Sequence, residues 1–298
     1  MDLPSAAHPL MILALDHRDS FEKSLFHAEH PDPEQLARMR AAKTLVYEGL
    51  LAARDNLGDG VPGVLVDELL GADVQKRAKD DGVVLAIPVE RSGEKLFALE
   101  YGEETPAHIA ASRPDYVKVL VRMNPDDTDK EVQLQPLAEL STWLRSVRVP
   151  FLYELLVPAS EAQLASVGGD RDAYDREVRP GLVVEVIKAN QDAGVEPALW
   201  KIEGLETADA AREVVRAARA GGRDGVGCIV LGRDAPRERL DHWLTVAAAV
   251  DGFVGFAIGR SIWEDALEQQ LTDGDEARVI ATVKDNYTHF AHTYLGAR

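Results

Sequence analysis

Short apolar runs alternate with amphipathic helical patterns along the chain, which is typical of a fold built from repeated strand–helix units. The runs that predict strands are Met11–Leu15, Gly63–Val66, Val83–Val89, Tyr116–Arg122, Phe151–Val157, Leu199–Gly204, Gly227–Leu231 and Phe253–Ile258. The predicted helices are Pro33–Arg54, Ala72–Asp80, Pro106–Ser112, Asp129–Ser146, Asp172–Asp192, Thr207–Ala220, Pro236–Val250 and a closing stretch from Trp263 onward. This order predicts a parallel sheet closed as a (β/α)8 barrel, with residues 1–298 in a single domain. An open doubly wound sheet is the alternative, and it is disfavoured because no Gly-x-Gly-x-x-Gly motif follows the first strand.

Charged residues interrupt several predicted strands, although strands covered on both faces should be almost wholly apolar. Period-two alternation places Lys118 on the same face as Arg122 and Lys201 on the same face as Glu203. Valines occupy the opposite face of the Lys118 strand and suit the helix-facing side, so the charges are predicted to point into the barrel. The other charged residues within or directly after strands include Asp16, Arg18, Asp67, Glu68 and Glu154. Active sites of such barrels lie at the C-terminal ends of the strands, where we expect these groups to converge.

Lys201 is the most informative of these charges, because it lies within the apolar run Ala198–Leu205. A buried ammonium group without a partner costs on the order of several kcal/mol or loses its proton. A neutral lysine is a nucleophile, which is the form that imine (Schiff-base) formation with a carbonyl substrate requires. A structural ion pair with Glu203 or Glu154 is the alternative interpretation of Lys201.

Two similar sequences follow the last two predicted strands, namely Leu231-Gly232-Arg233 and Ile258-Gly259-Arg260-Ser261. In barrels of this kind the loops after strands 7 and 8 usually bind phosphate, because glycine lets backbone amides approach and a short helix adds its N-terminus. An arginine adds a fork of donors that matches phosphate oxygens. The residues predicted to bind phosphate are therefore Gly232, Arg233, Gly259 and Arg260, and surface arginines after loop glycines are the alternative.

Composition narrows the possible partners. The net charge of −18 disfavours nucleic acid and anionic membrane surfaces. No apolar stretch reaches the length of a membrane-spanning helix, and Asp16 in the first apolar run argues against a signal peptide. The single cysteine, Cys228, is predicted to be a small core residue of a protein in the reducing cytoplasm. The scattered histidines, including His289 and His292, form no metal motif, so we expect no metal or other cofactor.

Several segments carry a resemblance to a known family: ALDHRDSF, VDE, YVKVLVRMNPDD, PFLYELLVPA, LWKIEGLE, GRDGVGCIVLGR and GFVGFAIGRSIW. They resemble the class I aldolase-like, DUF2090-type domain of bacterial myo-inositol catabolism, over residues from about 9 to about 290. More distantly, the chain resembles class I tagatose-bisphosphate and sulfofructose-phosphate aldolases. Their imine-forming lysine lies in a Leu-x-Lys-Val-Glu strand, which residues 199–203 match with one conservative change.

The resemblance implies a (β/α)8 fold and a carbon–carbon lyase of the class I aldolase type. The inositol-pathway domain is often fused behind a sugar kinase. Its assigned reaction is cleavage of 5-dehydro-2-deoxy-D-gluconate 6-phosphate to dihydroxyacetone phosphate and malonate semialdehyde. The implied partner is thus a phosphorylated keto-sugar.

The charged residues suit this chemistry, because a retro-aldol cleavage needs an electron sink at the ketone and a protonated lysine imine supplies it. Lys201 would attack the ketone, and Lys118 would keep it neutral by charge repulsion or polarise substrate oxygens. Glu154 is the first candidate for the general base and Asp16 the second, since an apolar setting raises the pKa of a carboxyl group. Glu203 would either move protons during imine formation or pair with Lys118.

Other residues are assigned to binding or to structure. Arg18 or Arg122 would hold a terminal carboxylate of the substrate. Asp67 is a further candidate for binding, although Asp67 and Glu68 are equally expected to cap the next helix. The acidic stretch Asp170–Glu177 is predicted to be solvated surface. The apolar stripe of the closing helix, Ala277–Tyr294, would pack on the barrel or on a second copy in a homo-oligomer.

Two alternatives to the inositol-pathway reaction stay open. The first keeps the aldolase and changes the substrate to a sulfofructose phosphate or tagatose bisphosphate. The second is a non-catalytic barrel that binds a phosphosugar and senses or channels the product of the kinase. Under that alternative Lys201 is not required. Each other candidate also has a structural interpretation: a structural partner for Lys118, a structural carboxylate for Glu154, and for Asp16 the cap of a loop or a partner of Arg18.

Overall fold

The computed structural model describes residues 4–298, whose eight parallel strands close into one barrel in sequence order. The strands are β1 (Leu10–Leu15), β2 (Val61–Val66), β3 (Val84–Pro88), β4 (Tyr116–Arg122), β5 (Phe151–Leu156), β6 (Leu199–Glu203), β7 (Gly227–Leu231) and β8 (Phe253–Ile258). The helices are α1 (Pro33–Ala53), α2 (Glu68–Asp80), α3 (Thr105–Ser112), α4 (Lys130–Ser146), α5 (Glu161–Ser166), α6 (Arg171–Ala173), α7 (Arg179–Asp192), α8 (Ala208–Ala218), α9 (Arg237–Ala248), α10 (Arg260–Asp273) and α11 (Glu276–Gly296). The predicted (β/α)8 barrel is confirmed, and the doubly wound alternative is wrong.

The main differences from the predicted elements lie in the helices. Helix α2 begins at Glu68 rather than Ala72, because the Asp67 side chain accepts a hydrogen bond from Leu70 N and caps the helix. The predicted helix Asp172–Asp192 contains the π-helical turn Tyr174–Val178 between α6 and α7. The stretch from Trp263 onward is two helices, and the first of them already begins at Arg260.

Alternation along the strands separates two buried layers. Outward-facing residues such as Val117, Val119 and Val121 pack under the helices, as predicted. Inward-facing residues, among them Ile12, Leu152 and Ile229, fill the floor of the barrel. Since Tyr116 and Leu199 belong to this inner layer, the residues two positions further along β4 and β6 also face inward, above the apolar floor. Cys228 is a buried core residue of β7, as predicted.

Helix α11 packs on the barrel of its own chain, which is one of the two predicted positions for its apolar stripe. Val279, Val283 and Phe290 are fully buried. Tyr287 donates a 2.5 Å hydrogen bond to the carbonyl oxygen of Met11 in β1, and Tyr294 donates one of 2.9 Å to Phe253 in β8. The helix thus covers the seam where the first and last strands meet.

That seam requires a glycine. Gly255 of β8 pairs with Leu10 of β1 and has a φ of +137°, and a Cβ atom there would lie 1.8 Å from the Leu10 carbonyl oxygen. Any side chain at position 255 would therefore push the two closing strands apart.

Within residues 4–298, no helix is both long enough and apolar enough to cross a membrane.

Candidate active site

A cavity of about 320 Å³ opens at the C-terminal ends of the strands. The predicted site residues in its wall are Asp16, Arg18, Lys118, Arg122, Glu154, Lys201, Gly232, Arg233, Gly259 and Arg260. The loop after β3 contributes a further group of wall residues, numbers 90–97. Asp67 and Glu203 lie behind this wall, where each is buried. The structure thus brings most of the predicted residues around one cavity and keeps these two apart from it.

Lys201 and Glu154 form the centre of the site. The two residues are register partners on β6 and β5, so both side chains point inward at the same height. Lys201 Nζ lies 2.8 Å from Glu154 Oε1, and both side chains are almost completely buried. Of the two ion-pair partners considered from sequence for Lys201, the structure has Glu154.

Lys118 is surrounded by three carboxylates. Its Nζ atom donates to Asp16 Oδ2 at 2.7 Å and to Glu90 Oε1 at 2.9 Å, and it lies 2.9 Å from Glu154 Oε2. Burial by itself would lower the pKa of Lys118, but Asp16, Glu154 and Glu90 outweigh it and raise that pKa above its usual range. Lys118 is therefore a fixed cation that joins the loop after β1 to strands β4 and β5.

The two candidate bases are ionised rather than poised near neutrality. Burial tends to raise the pKa of Glu154, but the ammonium groups of Lys118 and Lys201 outweigh it and hold that pKa below its usual range. The same two cations overcome burial at Asp16 and lower its pKa further. The expectation of raised pKa values for Asp16 and Glu154 is thus wrong, because each buried carboxylate has buried cations beside it.

Glu90 is a member of the cluster that the sequence analysis missed. It follows β3, is buried, and binds both Lys118 and Arg18, whose Nη2 donates to the Glu90 carbonyl oxygen at 2.8 Å. Burial raises the pKa of Glu90 despite these two cations. Its position directly after the apolar run Val83–Val89 was the available signal, since Asp16 and Asp67 follow strands in the same way.

Arg18 is occupied by this same loop. Its guanidinium lies 3.4 Å from Glu90 Oε1 and 3.1 Å from Glu100 Oε2, so two carboxylates already neutralise it. Arg122 is different: it is exposed at the mouth of the cavity, and among residues 4–298 it donates only to the carbonyl oxygen of Glu94, at 3.4 Å. Among residues 4–298 no carboxylate forms an ion pair with Arg122, so of these two predicted carboxylate ligands Arg122 is the one with free charge.

Arg233 is also occupied, by a buried carboxylate pair. Its guanidinium forms ion pairs with Asp175 and with Glu203, the latter at 2.9 Å. Glu203 therefore pairs with Arg233 and not with Lys118, the alternative considered from sequence. Asp175 in addition binds Arg179 at 2.9 Å and is buried. The prediction of solvated surface is wrong at this residue, because the π-helical turn directs Asp175 toward the arginines.

The second glycine–arginine sequence is better placed to bind an anion. Helix α10 begins at Arg260, and no side chain caps its N-terminus, so amide groups of its first turn face the end of β8. Gly259 lets this turn approach β1, because a Cβ atom there would lie 2.7 Å from the Ala14 carbonyl oxygen. Arg260, 3.2 Å from Asp234, and Ser261 complete a wall of the cavity suited to phosphate.

Asp67 has a structural partner. It forms an ion pair with Lys43 of α1, a fully buried lysine that the sequence analysis overlooked. Lys43 also donates to the carbonyl oxygens of Leu15 and His17, at 2.7 and 2.9 Å. The pair therefore holds the segment that carries Asp16 from behind.

No group of three or more His, Cys, Asp or Glu side chains in residues 4–298 is arranged to hold a metal ion. The described site is thus a cluster of lysines and carboxylates.

Comparison with known proteins gives a family. A family model described as an uncharacterized protein conserved in bacteria (DUF2090) matches residues 3–298. The chain belongs to the DUF2090 family. No curated protein matches this DUF2090 chain significantly in sequence.

Solved structures similar to this DUF2090 protein share its fold at low sequence identity. A protein from Corynebacterium glutamicum has a TM-score of 0.60 and 16% identity, covering 98% of this chain and 88% of that one. Fructose-bisphosphate aldolase from Plasmodium falciparum has a TM-score of 0.67 and 14% identity, covering 96% and 90%. An archaeal fructose-1,6-bisphosphate aldolase, solved with its catalytic lysine covalently bound to a carbinolamine intermediate, has a TM-score of 0.53 and 17% identity, covering 95% of each chain.

Proposed function

We propose that this DUF2090 protein is a class I aldolase that cleaves a phosphorylated keto-sugar through an imine on Lys201. The observation that carries the proposal is the placement of Lys201 Nζ, which lies in the wall of the cavity 2.8 Å from Glu154, with the fixed cation Lys118 on the other side of that carboxylate. Folds shared with named aldolases, one of which carries a carbinolamine on its lysine, support the proposal.

The cluster supplies the groups that a retro-aldol cleavage needs. Lys201 attacks the ketone, and loss of water gives a protonated imine. Glu154 is our first candidate for the base that takes the hydroxyl proton, because its carboxylate lies in the wall of the cavity between Lys201 and Lys118, at 2.8 and 2.9 Å. Asp16, bound to Lys118 at 2.7 Å, is the second. As the hydroxyl loses its proton, the carbon–carbon bond breaks, its electrons neutralise the iminium as an enamine, and the aldehyde leaves. Protonation of the enamine and hydrolysis then restore Lys201.

Positive charge at both ends of the cavity indicates the class of substrate. The N-terminus of α10 with Arg260 suits a phosphate, and the free guanidinium of Arg122 suits a carboxylate. We propose 5-dehydro-2-deoxy-D-gluconate 6-phosphate as the substrate, cleaved to dihydroxyacetone phosphate and malonate semialdehyde. Sulfofructose phosphate and tagatose bisphosphate also carry anions at both ends and are the competing substrates.

Borohydride trapping tests this function. The protein is incubated with each of the three phosphates, reduced, and mapped by mass spectrometry, with Lys201→Arg as the matched control that keeps a cation. We expect a reduced adduct on Lys201 with one substrate, together with release of dihydroxyacetone phosphate. Binding of all three phosphates without any adduct would contradict the aldolase and support a phosphosugar-binding barrel.

A further inference from the structure

We propose that Glu90 stores the proton that Lys201 must release before it attacks a carbonyl group. The inference rests on the proposed function, because it assigns a step of imine formation. Glu90 lies in the wall of the cavity, and the cleavage chemistry described above gives it no role.

An unbroken series of close contacts connects the two residues. Lys201 Nζ lies 2.8 Å from Glu154 Oε1, and Glu154 Oε2 lies 2.9 Å from Lys118 Nζ. Lys118 Nζ in turn donates to Glu90 Oε1 at 2.9 Å. The other oxygen of Glu90, Oε2, is buried and accepts no hydrogen bond from residues 4–298, so no donor at that oxygen opposes protonation of the carboxyl group.

Of the three carboxylates around Lys118, Glu90 is the one best suited to hold that proton. Cations lower the pKa values of Asp16 and Glu154 against the effect of burial, whereas burial raises the pKa of Glu90. The groups that face Glu90 are Lys118 from β4, and Arg18 and Asp16 from the loop after β1. Arg18 is itself shared with Glu100, which weakens its hold on Glu90.

The proton balance of imine formation closes with this assignment. Lys201 gives a proton to Glu154, Glu154 gives one to Lys118, and Lys118 gives one to Glu90. The resting pair of a Lys201 ammonium and a Glu90 carboxylate thus becomes a free amine and a carboxylic acid, while Glu154 is again a carboxylate and Lys118 again an ammonium. The amine then adds to the carbonyl carbon to give a carbinolamine. Glu90 returns the proton as the carbinolamine hydroxyl leaves as water, and the product is the protonated imine. Glu90 thus serves as a base and then as an acid, through Lys118 and without touching the substrate.

The test uses pyridoxal phosphate, a phosphorylated aldehyde that forms an imine with an amine and is fixed by borohydride. Labelling rates of Lys201 are measured by mass spectrometry from acidic to alkaline pH in the natural protein, in Glu90→Gln and in Glu100→Gln. Glu100 is the matched control, because it contacts the same Arg18 while Lys118 is bound by Glu90. Lys95, an exposed lysine in the wall of the cavity, is the internal reference for correct folding and for the activity of the reagent.

We expect Glu90→Gln to slow the labelling of Lys201 by about tenfold or more, within the usual contribution of one acid–base group, with Lys95 unchanged. In the natural protein the rate falls toward acidic pH because the amine itself becomes protonated and because Glu90 becomes protonated and can accept no proton, and in Glu90→Gln the second contribution to this acidic limb is lost. We expect Glu100→Gln to keep both the labelling rate of Lys201 and its fall toward acidic pH.

A purely electrostatic role predicts the opposite sign, because removing a negative charge weakens the hold on the ammonium group and speeds labelling. Equal or faster labelling in Glu90→Gln, or no label on Lys201 in the natural protein, overturns the inference. Pyridoxal phosphate is no aldol substrate, so the two proposals fail separately. If the protein cleaves none of the sugar phosphates but its labelling depends on Glu90, only the proposed aldolase function is contradicted. If it cleaves a sugar phosphate and Glu90→Gln is labelled at the natural rate, only the role of Glu90 is contradicted.

Discussion

Two buried lysines of this chain each pair with a buried carboxylate, yet their surroundings differ. Lys43 is fully buried and its Nζ atom has three fixed partners: Asp67 and the carbonyl oxygens of Leu15 and His17. Lys201 pairs with Glu154 and lies in the wall of a cavity. A lysine whose three donors are all used stabilises the fold, whereas a lysine with one acidic partner beside a cavity is available for chemistry. Burial alone therefore does not distinguish Lys201, the proposed nucleophile, from Lys43.

The largest effect is expected from replacing Lys201, the proposed nucleophile. Lys201→Met removes the nucleophile, so we expect kcat for aldol cleavage to fall by on the order of 10⁴-fold or more. The free energy of unfolding should change little, because Glu154 keeps its contact with Lys118. Steady-state assay and urea unfolding measure the two quantities, and an active Lys201→Met variant would exclude the imine mechanism.

Replacing Lys43, the structural lysine, is expected to lower the stability of the fold. Lys43→Met leaves Asp67 buried without its cation, so we expect a loss of about 3–5 kcal/mol in the free energy of unfolding. Adding Asp67→Asn should recover part of this loss, because an asparagine can still cap α2 at Leu70. Urea unfolding of both variants is the measurement. If Lys43→Met alone were as stable as the natural protein, the Lys43–Asp67 ion pair would not stabilise the fold.

The smallest effect concerns His17, which is close enough to both lysines for their charges to act on its ring. Burial lowers the pKa of His17 to about 4, and the cations Arg260, Lys201 and Lys43 act in the same direction. The unfolded chain, with an ordinary histidine pKa of about 6.5, binds more protons between these values, so stability should fall as the pH drops from about 6.5 to about 4. His17→Gln should flatten this part of the curve of thermal stability against pH. An unchanged slope would place the titrating group elsewhere.

The fold, and the place of Lys201 in the wall of the cavity, were both predictable from patterns within the sequence. Strands β4, β7 and β8 have the predicted bounds, because buried parallel strands are nearly continuous apolar runs. Lys118, Glu154 and Lys201 were visible as charges on the inward face of such runs. Their placement around one cavity follows from the geometry of a parallel barrel.

Other features of the site could not be predicted, because they depend on contacts between residues that are distant in the sequence. Lys43 lies in a helix, where a lysine is ordinarily solvated, and only the path of β1 shows that its head group is enclosed. The two glycine–arginine sequences look alike, but Arg233 meets Asp175 from a π-helical turn, whereas Arg260 begins a helix. The signs of the pKa shifts of Asp16 and Glu154 likewise depend on which cations lie beside them. No local pattern encodes such pairings.

Because the barrel closes between β1 and β8, at Gly255, the cavity is completed only when the last strand has been synthesised. The ribosome delivers the chain from its N-terminus, so Asp16, Lys118 and Lys201 all emerge before the strand that closes the barrel. The turn at Gly259, which we propose binds phosphate, directly follows that last strand. A nascent chain that stalls before β8 consequently holds every charged group of the cluster, but open to water and without the wall that would retain a phosphate.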